Sequence, residues 1–144
     1  MIDRKNVTYL KLQPLRIPPN WTMVINKLED IDPETLSPDD ENWLFAFNED
    51  IIYMESKITR KRDKQIEQQE LGIDLGWYPD GEPDGKFRLQ AVLNSDWNDP
   101  LLDFSSRSKD EIVQTLEKWL WVDFMPVRFI DEEYFHKTHK IKYT

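Results

Sequence analysis

All four glycines of this 144-residue chain fall within residues 72–85, in the stretch LGIDLGWYPDGEPDGKF. The backbone's freedom is thereby gathered into one turn region, and the flanking residues state what that turn joins. Leu71, Ile73, Leu75 and Trp77 alternate before it, and Phe87, Leu89, Ala91 and Leu93 alternate with Arg88 and Gln90 after it. A period of two on both sides of a Pro- and Gly-rich segment predicts two antiparallel strands joined as a hairpin. Pro79, Gly81, Pro83 and Gly85 supply the fixed and positive φ values such a connection needs, and the intervening acids face water. Gly72 and Gly76, inside the first strand, call for a bulge or a crowding neighbour such as a tryptophan.

Other uses of the same glycines fail on chemistry. A phosphate-binding loop needs a Lys-Ser or Lys-Thr pair opening a helix, but Lys86 is followed by Phe87 and a strand pattern. Asp80, Glu82, Asp84 and Gly85 fit positions 1, 3, 5 and 6 of a calcium loop, yet Ala91 stands where position 12 requires a bidentate Glu. No calcium or magnesium site is expected there, and no cofactor elsewhere.

The remaining chain reads mostly as strands. WTMVINKLEDI places Trp21, Met23 and Ile25 on one face. NWLFAFN and DIIYMESKI read as two strands around a short turn, and LLDFSS as another. VTYLKLQPLRI alternates up to the break at Pro18-Pro19, and TRKRDKQIEQQE reads as a long hairpin loop or a frayed extension of its neighbours. One helix is expected over about 108–122: Ser108 and Glu111 make a capping box, and Ile112, Val113, Leu116, Trp119 and Leu120 recur at helical spacing. FMPVRFIDEEYF reads as a final extended segment before the basic tail HKTHKIKYT. The expectation is one α+β domain spanning 1–144, a meandering antiparallel sheet with one main helix packed on one face.

Charge points to the kind of partner. Residues 28–50 hold nine acids (Glu29, Asp30, Asp32, Glu34, Asp39, Asp40, Glu41, Glu49 and Asp50) and no base. They account for the whole net charge of −9, because the remaining acids are matched by 19 lysines and arginines. Such a field repels nucleic acid and acidic membranes and attracts cationic surfaces. Glu29, Asp30, Asp32, Glu34, Asp39, Asp40 and Glu41 are therefore the candidate docking residues for a basic protein partner. Trp43, Trp97 or Trp121 would supply aromatic anchors. A solvated loop kept acidic for solubility is the plainer reading of the same run. The basic run Lys57, Arg60, Lys61, Arg62 and Lys64 lacks interleaved aromatics and is answered locally by Glu67 and Glu70.

Two constellations bear on catalysis. Asp39, Glu55 and Lys57 could form a Mg²⁺-dependent nuclease core, two acids holding the metal while the lysine stabilises developing charge. Their loose spacing is common in a chain that is 33% charged, and the acidic field opposes a phosphodiester substrate. His136 and His139 could share a metal with Glu132 or Glu133 if the tail were helical, but a solvated end fits its polar pattern better. Cysteine is absent, which removes thiolate chemistry and suits a reducing cytoplasm. The opening MIDRKNVTYL has no signal-peptide stretch, so a soluble, cytoplasmic protein is expected.

The succession IPPNWTMVINKLEDIDPE, ENWLFAFNEDIIYME, IDLGWYPDGEPDGKFRL and NDPLLDFSSRSKDEIVQTLEKWL resembles small acidic proteins of Gram-positive bacteria. Some of those are similar to immunity proteins that sit beside secreted polymorphic toxins. The resemblance spans roughly residues 15–120 and implies a non-enzymatic binding protein that neutralises a basic toxin. It assigns no role to any single residue.

Overall fold

Alternation decides the sheet, and the sheet decides where everything else sits. The computed structural model describes residues 11–126 and 128–139. Its strands are β1 (Thr22–Asn26), β2 (Ile52–Arg62), β3 (Gln65–Tyr78), β4 (Lys86–Leu93) and β5 (Leu102–Ser106). They form one five-stranded antiparallel sheet in chain order, the expected α+β meander. Helix α1 (Asn42–Ala46) lies in the long β1–β2 connection, α2 (Lys109–Lys118) follows β5, and α3 (Glu132–Thr138) lies near the C-terminus.

The core occupies one sheet face. Met54 and Ile58 of β2, Ile73, Leu75 and Trp77 of β3, and Phe87 and Leu89 of β4 point to it and are buried. Against them pack Ile112 and Leu116 of α2, then Trp119 and Leu120 of the wider helical turn that continues α2 to Asp123. Ser108 caps α2 as expected, its Oγ accepting from the Glu111 amide at 3.2 Å. Trp77 is fully buried at the centre of an aromatic cluster, with Phe47, Phe87 and Trp43 at centroid distances of 4.9, 5.0 and 5.7 Å. Each such pair adds about 1 kcal/mol beyond its buried area.

Several local expectations are corrected. NWLFAFN is not a strand but the source of α1. The Asp40 carboxylate accepts from the Asn42 amide at 2.8 Å, and a four-residue spacing brings Trp43 and Phe47 to one helical face, 4.8 Å apart. Trp21, Met23 and Ile25 do not share a face. An irregularity between Met23 and Ile25 pairs Met23 with Met54 on the core side and Ile25 with Tyr53 on the other. TRKRDKQIEQQE is paired strand almost throughout, closed by the two-residue turn Asp63-Lys64 with φ of 51° and 65°. Opposite charges facing across the ladder favour this: Lys57 lies opposite Glu70, and Arg60 bonds Glu67 at 3.0 Å.

FMPVRFIDEEYF is not one extended segment: Phe124 closes the helical turn after α2, and the Asp131 carboxylate accepts from the Tyr134 amide and starts α3. Phe135 of α3 is buried and stacks on Phe124 at 5.5 Å. The first strand pattern and the end of the basic tail lie partly outside the described residues. Of the first, Leu12 forms a single bridge to Glu29.

Of the four glycines only Gly81 has a positive φ, at 70°. The others are places of close approach. A Cβ on Gly85 would stand 2.5 Å from the Trp77 Nε1, so this glycine exists for the buried indole rather than for the turn.

Candidate functional site

Because successive strand residues point to opposite faces, burying one face of the sheet exposes another set of side chains on the other. Register gathers that set. Tyr53 lies opposite Asp74, Glu55 opposite Gly72, Gln90 opposite Asp74, Arg88 opposite Gly76, and Asp103 opposite Gln90. The segment before β2 runs alongside β3 as well: the Trp77 amide donates to the Asn48 carbonyl at 2.8 Å and the Ile51 amide to the Leu75 carbonyl at 3.0 Å. Glu49 and Asp50, the last two acids of the acidic run, are thereby delivered to the end of this face.

The two strand glycines shape its floor. A Cβ on Gly72 would come within 3.0 Å of the Tyr53 hydroxyl, and one on Gly76 within 2.8 Å of the Tyr78 ring. Each glycine therefore lets a tyrosine lie close against the sheet, and Asp74 stands between them. The crowding neighbours are these tyrosines and, nearest of all to Gly76, the Glu49 carbonyl, not the expected tryptophan.

Electrostatics converge on the same spot. Burial pushes the Asp74 carboxyl up from 3.8 to about 6, and the nearby Asp50 carboxylate adds to the effect. The Tyr53 hydroxyl is raised by burial first, then by Glu55, Glu70 and Asp74. That of Tyr78 is raised by burial, then by Asp74, Glu49 and Asp50, with Arg88 acting in the opposite direction. Arg88 itself is engaged by Asp103 at 2.8 and 3.2 Å. The result is an acidic, tyrosine-lined face that favours positive charge and resists further negative charge.

The acids expected to dock a partner are placed differently. Asp30 pairs with Lys109 Nζ at 2.6 Å, a lysine only 7% exposed that also donates to the Gln13 side-chain carbonyl. Glu34 pairs with Arg107 at 2.6 Å. Asp32 accepts from the Glu34 amide at the start of the short helical turn Pro33–Thr35, Asp40 accepts from the Asn42 amide where α1 begins, and Asp39 accepts from the Ser37 hydroxyl at 3.0 Å. Glu29 is half-buried and Glu41 exposed. Asp30 and Glu34 thus tie the connection to the body, while Asp32, Asp39 and Asp40 brace it locally.

Trp43 is no surface anchor. It is 3% exposed, and its Nε1 donates to the Ser37 carbonyl at 2.7 Å. Trp121 is 39% exposed and lies beneath Arg16, whose carbonyl accepts from its Nε1; Trp97 is 45% exposed.

The nuclease constellation is not assembled. Asp39 is tied through Ser37 to Trp43 on the core side of the sheet, whereas Glu55 and Lys57 project from the open face. In the β3–β4 connection the acids point outward, while the Glu82 carbonyl accepts from Trp77 Nε1 and the Gly85 carbonyl from Arg107. Among the described residues no helix is long and apolar enough to cross a membrane.

Compared with known proteins, the chain matches no family model, no curated protein and no solved structure. Sequence reasoning missed the Tyr53–Asp74–Tyr78 grouping. Its signal was available in the motif Gly72-Ile73-Asp74-Leu75-Gly76, a carboxylate flanked on its own face by two residues without side chains.

Proposed function

We propose that this chain is a non-enzymatic binding protein that docks a cationic protein partner on its open sheet face. The observation that carries this reading is the arrangement at Asp74: a half-buried carboxylate between two tyrosines set over glycines, with Glu49, Asp50, Glu55 and Glu70 around it. A lysine or arginine entering there gains charge pairing with Asp74 and a cation–π contact with a tyrosine ring. Tyrosines also bring large contact area at little entropic cost, as interface anchors do. Docking a cation relieves the mutual repulsion of the acids, so the partner stabilises the fold it binds.

Residues 29–41 act at longer range in this account. Their charges, mostly held in place by internal contacts, steer a basic partner toward the molecule. The form implied by the resemblance, an immunity protein neutralising a basic toxin in the cytoplasm, fits this chemistry because nucleic-acid-degrading toxins carry cationic clefts.

Titration with nona-arginine as a defined cationic probe tests the reading. Saturable binding is expected that weakens at high salt and drops about tenfold in a Tyr53→Thr/Tyr78→Thr variant. Equal affinity of variant and wild type would remove the open face from the account. Loss only on neutralising Asp32, Asp39 and Glu41 would move the docking surface to the acidic connection.

A further inference from the structure

We infer that Asp99, Glu132 and His136 form a binding site for a divalent cation of the zinc class, fastening α3 to the β4–β5 loop. Glu132 and His136 are four residues apart on α3, so one helical face presents both. Asp99 comes from the loop between β4 and β5, and one ligand atom from each of the three lies within 4.8 Å of the others. Ligands around a tetrahedral zinc stand about 3.4 Å apart, a separation that these side chains reach with at most small rotations.

The donor set selects the metal. An imidazole with two carboxylates suits zinc, whereas magnesium and calcium prefer oxygen alone. His136 Nε2 also lies 3.4 Å from the carbonyl of Pro100, the residue next to Asp99, so the ring faces the β4–β5 loop. The neighbouring candidates turn elsewhere. His139 stacks on Phe135 at 3.9 Å and approaches Asp123 at 3.4 Å, and Glu133 pairs with Lys137 at 3.4 Å. The two histidines therefore do not share a site; only His136 faces the loop.

The fold gives such a site a purpose. A seven-residue helix is far too short to persist by itself and depends on tertiary ties. Those of α3 include the Phe135–Phe124 stack and, just before it, Gln69 side-chain bonds to the Ile130 amide and carbonyl at 2.7 and 2.9 Å. A cation bridging Glu132 and His136 to Asp99 adds a further tie, to a loop that is otherwise exposed.

The test is calorimetric titration of zinc chloride into the tag-free, chelator-treated full chain, with hydrogen exchange of residues 132–138 followed in parallel. One-to-one binding is expected, with slower exchange in α3. Glu132→Gln, His136→Ala and Asp99→Asn should each weaken binding at least about tenfold, with circular dichroism confirming that they fold. His139→Phe, which keeps the stack, should bind as the wild type does. The proposal is overturned by absence of saturable binding, by binding that survives Glu132→Gln and His136→Ala, or by binding lost in His139→Phe. Magnesium competing as well as zinc would overturn the metal class.

Discussion

Replacing Asp74 by asparagine should make the protein more stable at neutral pH, and only there. Asp74 is held at about 6 in the folded chain against an ordinary value of 3.8, because burial disfavours its charged form. The folded state therefore binds the proton more tightly than the unfolded state does. The stability this contributes is fully present below about 3.8 and is lost as pH rises through about 6. For a fully buried group the difference corresponds to about 3 kcal/mol. Asp74 keeps part of its surface in water, and solvent screening reduces this to about 1–2 kcal/mol. Asparagine has the same shape and no charge to desolvate. Asp74→Asn should thus gain about 1–2 kcal/mol over wild type at pH 8, and the gain should vanish at about pH 3.5. Urea denaturation of both proteins across that range measures the difference directly, with the remaining titrating groups cancelling. A difference that does not change with pH, or a loss of stability at pH 8, would refute the claim that Asp74 is ionised at a cost. The same substitution should weaken binding of a cationic probe, since the costly charge is the one the proposed partner uses.

Two further outcomes follow from the packing. Gly85→Ala would drive a Cβ to 2.5 Å from the buried Trp77 Nε1, and should cost about 2–3 kcal/mol in thermal or urea unfolding. Asp30→Asn removes the closer carboxylate of the almost fully buried Lys109, leaving Asp110 at 4.0 Å, and should cost about 1–2 kcal/mol, whereas Glu41→Gln, at an exposed position, should stay within about 0.5 kcal/mol. Paired unfolding curves for these last two separate the acids that hold the fold from those that only supply field.

The parts legible in the sequence are those set by short-range pattern. Period-two alternation in β3 and β4 places their buried residues correctly, and Ser108 with Glu111 marks the start of α2. Short helices escape for a definite reason. In α1 the aromatic-rich NWLFAFN looks like a strand, and only the Asp40 carboxylate bonded to the Asn42 amide and the four-residue spacing of Trp43 and Phe47 distinguish it. In α3 the cap at Asp131 is the corresponding mark. The partners of the acidic connection are hidden by distance, because Lys109 lies 79 residues beyond Asp30 and Arg107 lies 73 beyond Glu34. Charge density alone marks residues 29–41; the fold shows which carboxylates are also structural. The open face is hidden likewise, since Tyr53, Asp74 and Gln90 meet only once the register of β2, β3 and β4 is fixed.

The central claim is that a cationic partner sits on the open face of the sheet. Hydrogen–deuterium exchange of the chain, alone and saturated with nona-arginine, tests it most directly. The account predicts slowed amide exchange centred on Tyr53–Glu55 and Gly72–Tyr78, with residues 29–41 little changed despite their charge. Protection confined to residues 29–41 or to α2, with β3 unchanged, would contradict it.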